Sequence, residues 1–177
     1  MSRFVKKPIA ILQKVEVSAD VQTMSVKGPL GTLSRTIHPT IAITVGAEGV
    51  SIAAKNNSKL AKALSGTFAS HLKNMMAGVS APFKKVLILE GIGYRVEQKG
   101  KEFVFNVGFS HQVTVPIPEG INASVEKNII RLESIDKELV GQFAAIVRHV
   151  KPPEPYLGKG IHYENEVIRR KQGKKSV

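Results

Sequence analysis

The sequence predicts an α+β protein of two similar tandem domains, each an antiparallel sheet with one main helix packed on a face. Two observations carry this. In each half, short segments of alternating apolar and polar residues precede a single stretch of helical period. The same order of elements then returns about 80 residues later in the numbering.

Five alternating segments open the chain: Val15 to Val17, Gln22 to Val26, Leu33 to Ile37, Ile41 to Val45 and Val50 to Ala54. Period-two patterning over such lengths reads as half-buried strands. Gly28-Pro29-Leu30-Gly31 and Gly46-Ala47-Glu48-Gly49 supply the turns. From Asn57-Ser58 the period changes. Leu60, Leu64, Thr67, Phe68, His71, Leu72 and Met75 fall on one helical stripe, with Asn57 or Ser58 as N-cap and Gly78 as a stop before Pro82. His71 and the two methionines that follow on this stripe read as core packing.

Strand patterning restarts at Lys85 to Leu89, then Tyr94 to Gln98. A hairpin at Lys99-Gly100-Lys101 leads into Glu102 to Val107. Val113 to Ile117, Asn122 to Glu126 and Ile129 to Leu132 follow. A second helix covers Asp136 to about Val150, with Leu139, Phe143, Ile146, Val147 and Val150 on one stripe and Ser134 or Asp136 as its cap. A shift of 80 places Gly28 on Gly108, Ile37 on Ile117 and Ile52 on Leu132; a shift of 75 places Gly66 and Phe68 on Gly141 and Phe143. Self-similarity of this kind is the mark of a duplicated module. It sets domains at 1–81 and 82–177, the second ending in a Pro/Gly arm and basic tail over 151–177.

There is no cysteine, and so no disulfide or cysteine zinc site. No run approaches the roughly 18 apolar residues of a membrane span, and the N-terminus lacks the apolar core of a secretion signal. The expected setting is soluble and cytoplasmic. The net charge of +12 is unevenly spread. Residues 1–81 hold ten Lys/Arg against three acids, residues 82–150 nine against eight, and residues 151–177 seven against three. Localised positive charge favours a polyanionic partner, because each neutralised phosphate releases counterions.

Enzyme readings find no support. Gly91-Ile92-Gly93 has Val96 where a dinucleotide loop needs its third glycine, and it opens a strand. His38, His71, His111, His149 and His162 show no metal-ligand spacing, and no Gly-x-Ser-x-Gly elbow occurs. Glu164 and Glu166 lie two apart in a charged segment and read as a solvated face. No cofactor, metal or small-molecule substrate is expected.

Attention falls instead on Lys151-Pro152-Pro153-Glu154-Pro155-Tyr156-Leu157-Gly158-Lys159-Gly160-Ile161. Its prolines favour an extended path, and its glycines a free turn that approaches a partner closely. The stretch reads either as a proline-rich terminal linker or as a stiff arm presenting a cation and a ring. On the second reading Lys151, Lys159, Arg169, Arg170, Lys171, Lys174 and Lys175 neutralise phosphates. Tyr156 either stacks on a base or sugar or covers the joint of the arm. Arg3, Lys6, Lys7 and Arg95 are secondary RNA candidates. The tail beyond about Arg170 is expected to be disordered without RNA. A competing reading makes residues 82–150 the docking face of a protein–protein adaptor; a partner surviving nuclease treatment would favour it.

Lys6-Lys7-Pro8-Ile9, Val26-Lys27-Gly28-Pro29, Gly91-Ile92-Gly93-Tyr94-Arg95, Val140-Gly141-Gln142, the arm and Arg169 to Lys175 together resemble the bacterial-type family of large-subunit ribosomal protein six. The resemblance spans nearly the whole chain, and the arm is its most specific part. It implies two similar domains bound to large-subunit rRNA near the sarcin–ricin loop and the stalk base. It also implies neighbouring ribosomal proteins as partners and no catalysis. Leu157 and Ala69 stand where the family commonly has basic residues, and Pro82 where it has glycine.

Overall fold

A computed structural model describes residues 8–46 and 49–173. Two compact units emerge, one running to Pro82 and taking in Ile135–Lys137, the other Phe83–Ser134 and the chain from Glu138. No helix among the described residues is long and apolar enough to cross a membrane.

In the first unit, β1 (Glu16–Ala19), β2 (Thr23–Gly28) and β3 (Gly31–Thr36) form an antiparallel sheet, while β4 (Ile41–Gly46) and β5 (Gly49–Ala54) form a hairpin. An isolated bridge from Ile9 to Val50 extends the hairpin. Helix α1 (Lys59–Ser80) packs against strands of both sheets. Ser58 caps it, its hydroxyl accepting the Ala61 N–H at 3.1 Å.

Two expectations shift here. The buried face of α1 is Ala61, Ser65, Phe68, Ala69, Leu72, Met75, Met76 and Val79, whereas Leu60 and Thr67 are exposed. Small residues at 61, 65 and 69 let the helix lie close to the strands, which turns the larger Leu60 outward. Nor does Gly78 end the helix. It is buried within the last turn, and the helix runs on to Ser80. That turn is held from outside, since Leu30 N–H donates to the Val79 carbonyl at 3.1 Å. A Cβ at Gly28 would stand 2.6 Å from the Val79 side chain, so the glycine permits the approach.

The second unit repeats this plan. Strands β7 (Arg95–Lys99), β8 (Glu102–Asn106) and β9 (Val113–Pro116) form a three-stranded antiparallel sheet. The second sheet has the order β10-β11-β6-β12, with β6 at Phe83–Glu90, β10 at Asn122–Glu126, β11 at Ile129–Ser134 and β12 at Gly160–Tyr163. The strands of each unit thus divide between two small sheets. Leu87 faces Ile130 in the second unit much as Ile9 faces Val50 in the first. Helix α2 (Lys137–Val150) buries Val140, Phe143, Ala144 and Val147, and the Phe143 ring stacks 6.0 Å from Phe103. Ile146, expected on the buried stripe, is exposed.

One element has no counterpart among the described residues of the first unit and no place in the sequence reading. Gly160–Tyr163 is a strand, β12, paired antiparallel with Leu87–Glu90 of β6. The segment before it is no free joint. Ile161 N–H donates to the Lys151 carbonyl at 2.7 Å, Glu154 N–H to Lys159 at 3.0 Å, and Gly158 N–H to Glu154 at 3.1 Å. Gly160 is buried at φ +145°, and a Cβ there would lie 2.6 Å from the Pro152 carbonyl oxygen. The close approach granted by this glycine is to the arm itself. Beyond β12, Glu166 takes Arg148 Nε at 2.9 Å on one oxygen and Arg148 Nη2 on the other; it also accepts the Tyr163 N–H at 3.2 Å. This clamp fastens the chain after β12 to α2.

Two predictions follow from this closure. Gly160→Ala should destabilise the protein by about 2–3 kcal/mol, through a strained φ and a backbone collision. Urea unfolding would show it, together with faster amide exchange at Ile161. The Glu166 carboxyl is held below the usual carboxylate range chiefly by its hydrogen bond from Arg148, burial opposing the shift and the Tyr163 N–H adding to it. Since the folded-state pKa is the lower one, the clamp stabilises at pH above the unfolded carboxylate value and loses that contribution as pH falls through the folded value. Glu166→Gln should therefore cost about 1–3 kcal/mol near neutrality. The gap from the parent should close as the parent is acidified below the ordinary glutamate range, which denaturation across a pH series measures.

Candidate nucleic-acid interface

Closure of the arm gathers charge that is dispersed in sequence. Pro152 to Lys159 form a loop between α2 and β12, with Tyr156 57% and Leu157 61% exposed at its tip. The tail returns to this loop: Lys171 N–H donates to the Pro155 carbonyl at 2.7 Å, and the Arg170 guanidinium lies 3.1 Å from where a Cβ of Gly158 would stand. Gly158 is buried at φ +77° beneath it. Arg170 and Lys171 therefore lie against the loop that carries Tyr156 and Lys159. The tail beyond about Arg170 is expected to be disordered without RNA; of it, Lys171 is tied to the arm, and residues 174–177 lie outside the described residues. Among the three acids beyond residue 150, Glu166 is consumed by the Arg148 clamp.

A second cluster lies where two turns of the same unit meet. The Tyr94 ring fills the space a side chain at Gly91 would need, and its edge lies 3.2 Å from a Cβ position at Gly108. Tyr94 thereby joins the turn after β6 to the turn after β8. The latter carries Phe109 and His111, whose rings stack at 6.0 Å and 16°. Lys151, at the root of the arm, places Nζ 4.6 Å from the Phe109 centroid. The candidate Lys151 ammonium thus rests on a ring, a cation–π contact. Arg95 is exposed as the first residue of β7, directly after the Tyr94 turn.

Arg169 is exposed beside the arm-bound Arg170. Arg3, Lys6, Lys7, Lys174 and Lys175 lie outside the described residues. Ala69 is fully buried in the core of the first unit, no position for a phosphate contact. Phe109 and His111 escaped sequence reasoning. Their signal was an aromatic directly after a glycine at a strand end, with histidine two residues on; Gly108 had served only to align the two halves. His71, expected in the core, sits at its edge: its Nδ1 lies 2.7 Å from Arg35 Nη1.

A family model described as ribosomal protein L6 matches residues 12–81 and 90–164, one segment in each half of the chain. Proteins called large ribosomal subunit protein uL6 resemble the chain over almost all of its length. The one from Synechococcus sp. (strain JA-3-3Ab) is 48% identical over 175 residues, covering 98% of this chain and 97% of the relative. Those from Desulforapulum autotrophicum and Dictyoglomus turgidum are also 48% identical, each over 98% of both chains. With its matched pair of α+β units, the chain belongs to the ribosomal protein L6 family.

Proposed function

We propose that this protein is a structural constituent of the large ribosomal subunit that grips large-subunit rRNA near the sarcin–ricin loop and the base of the factor-binding stalk. There it supports subunit assembly and the region where translation factors bind, beside neighbouring ribosomal proteins. Members of the family are structural components of the ribosome, not enzymes. The observation that carries the reading is the closed arm. It brings Arg170 and Lys171, which lie beyond β12 in sequence, against the loop that carries Tyr156 and Lys159.

The chemistry suits a folded polyanion. Lysine ammonium groups make loose point-charge contacts and arginine forks make bidentate ones to phosphate oxygens. Arg169 and the tail lysines Lys174 and Lys175 add to the same charge, as do Arg3, Lys6 and Lys7 at the other end of the chain. Such contacts position the protein without reading sequence, so RNA shape sets the specificity. Tyr156, exposed at the tip, supplies a ring for stacking.

Two measurements test this. Removing residues 169–177 deletes five cations and should flatten the log–log salt slope for rRNA binding by about 3–4 units. An unchanged slope would exclude the tail from the interface. Lys159→Ala, with folding intact, should lower incorporation into large subunits when it competes with the parent chain. Equal incorporation would exclude the arm.

A further inference from the structure

Resting on that reading but separate from the arm, the turns after β6 and β8 hold a feature that charge neutralisation leaves unused. Phe109 is 41% exposed, His111 is exposed, and their rings lie nearly parallel. Ile92, one turn away, is 91% exposed, and nothing lies within 4 Å of a Cβ position at Gly93. Residues 91–95 and 107–113 contain no acid. Apolar and aromatic side chains at solvent and next to cations do not explain themselves as core. Both rings lie outside the buried cluster of their unit, which ends at Val107 on this strand.

We infer that Phe109 and His111 form a stacking platform for an unpaired rRNA base, with Lys151 and Arg95 taking the phosphates that flank it. An aromatic face accepts any base, and stacking on it needs a nucleotide outside a duplex. The platform therefore selects a bulge, loop or single-stranded junction, whereas the arm tolerates any backbone of suitable shape. Tyr94 sets its position: wedged between Gly91 and Gly108, it fixes the distance between the turn that bears Ile92 and the turn that bears the rings. Lys151 already lies against Phe109, so a base entering beside the ring brings its phosphate near an ammonium group.

The test uses the full-length chain and deproteinised bacterial large-subunit rRNA, with affinities measured across a salt series. His111→Ala and Phe109→Leu should each weaken binding about tenfold, the effect of losing one base stack, with the salt slope unchanged. His111→Tyr, which keeps an aromatic ring, should bind like the parent. Ultraviolet crosslinking should attach a nucleotide to the peptide containing residues 109–111. Parental affinity in His111→Ala, or failure of His111→Tyr to restore binding, would overturn the platform. If Phe109→Leu proves less stable, the two exposed His111 variants still decide. A parent chain indifferent to rRNA at low salt would instead overturn the ribosomal reading, and this inference with it.

Discussion

The pairing of Gly160–Tyr163 with Leu87–Glu90 is the constraint on which the rest of the interface depends. Without it the Pro/Gly stretch would be a linker with the charges of its tail dispersed in solution. With it, the end of α2 and the start of β12 are fixed, and the eleven residues from Lys151 to Ile161 must close on themselves. That closure requires a residue without a side chain at 160, because the Pro152 carbonyl occupies the space. Ordering a charged loop costs about 1–2 kcal/mol of backbone entropy per residue. The strand and the Arg148–Glu166 clamp provide that ordering in the folded protein, so it is not charged against RNA affinity.

Duplication makes the asymmetry of the chain informative. Both units bury an equivalent phenylalanine and alanine from their helices, Phe68 and Ala69 in one, Phe143 and Ala144 in the other. Both pair a further segment with the second strand of a hairpin just after its turn: Ile9 bridges Val50, and Leu87 of β6 pairs with Ile130. Among the described residues, only the second unit has a strand such as β12 and a closed arm before it. The addition sits at a sheet edge, where a further strand can pair without disturbing the core. The addition that distinguishes the second unit thus lies at the most permissive place on the scaffold.

Much of this was legible in the sequence. Period two gave way to helical period at Ser58, and the cap sits at that residue. The Gly100-Lys101 hairpin and the register of Gly28 against Gly31 follow from turn chemistry alone. What stayed hidden depends on tertiary contact. β12 is four residues long, opens on glycine and follows three prolines, so local propensity argues against a strand; pairing with β6 overrides it. Leu60 outranks Ala61 in hydrophobicity, yet close helix–strand approach rewards the smaller residue. Gly158 and Gly160 have the freedom their composition implies, but it is spent on fitting the arm against Arg170 and Pro152.

The two arm lysines show why composition could not rank the site residues. Lys159 lies within the closed loop, its carbonyl fixed by Glu154. Lys151 rests on Phe109, a contact worth about 0.5–1 kcal/mol near a surface. A charge-assisted hydrogen bond to phosphate contributes about 1.5–3 kcal/mol, so RNA can draw Lys151 from the ring at a net gain. In the proposed complex, leaving the ring would uncover part of Phe109 as a phosphate arrives, coupling neutralisation at the root of the arm to stacking on the platform. On the proposed reading, tail and loop cations would supply most of the affinity and its salt dependence, while the rings would limit which part of the RNA fold the protein accepts.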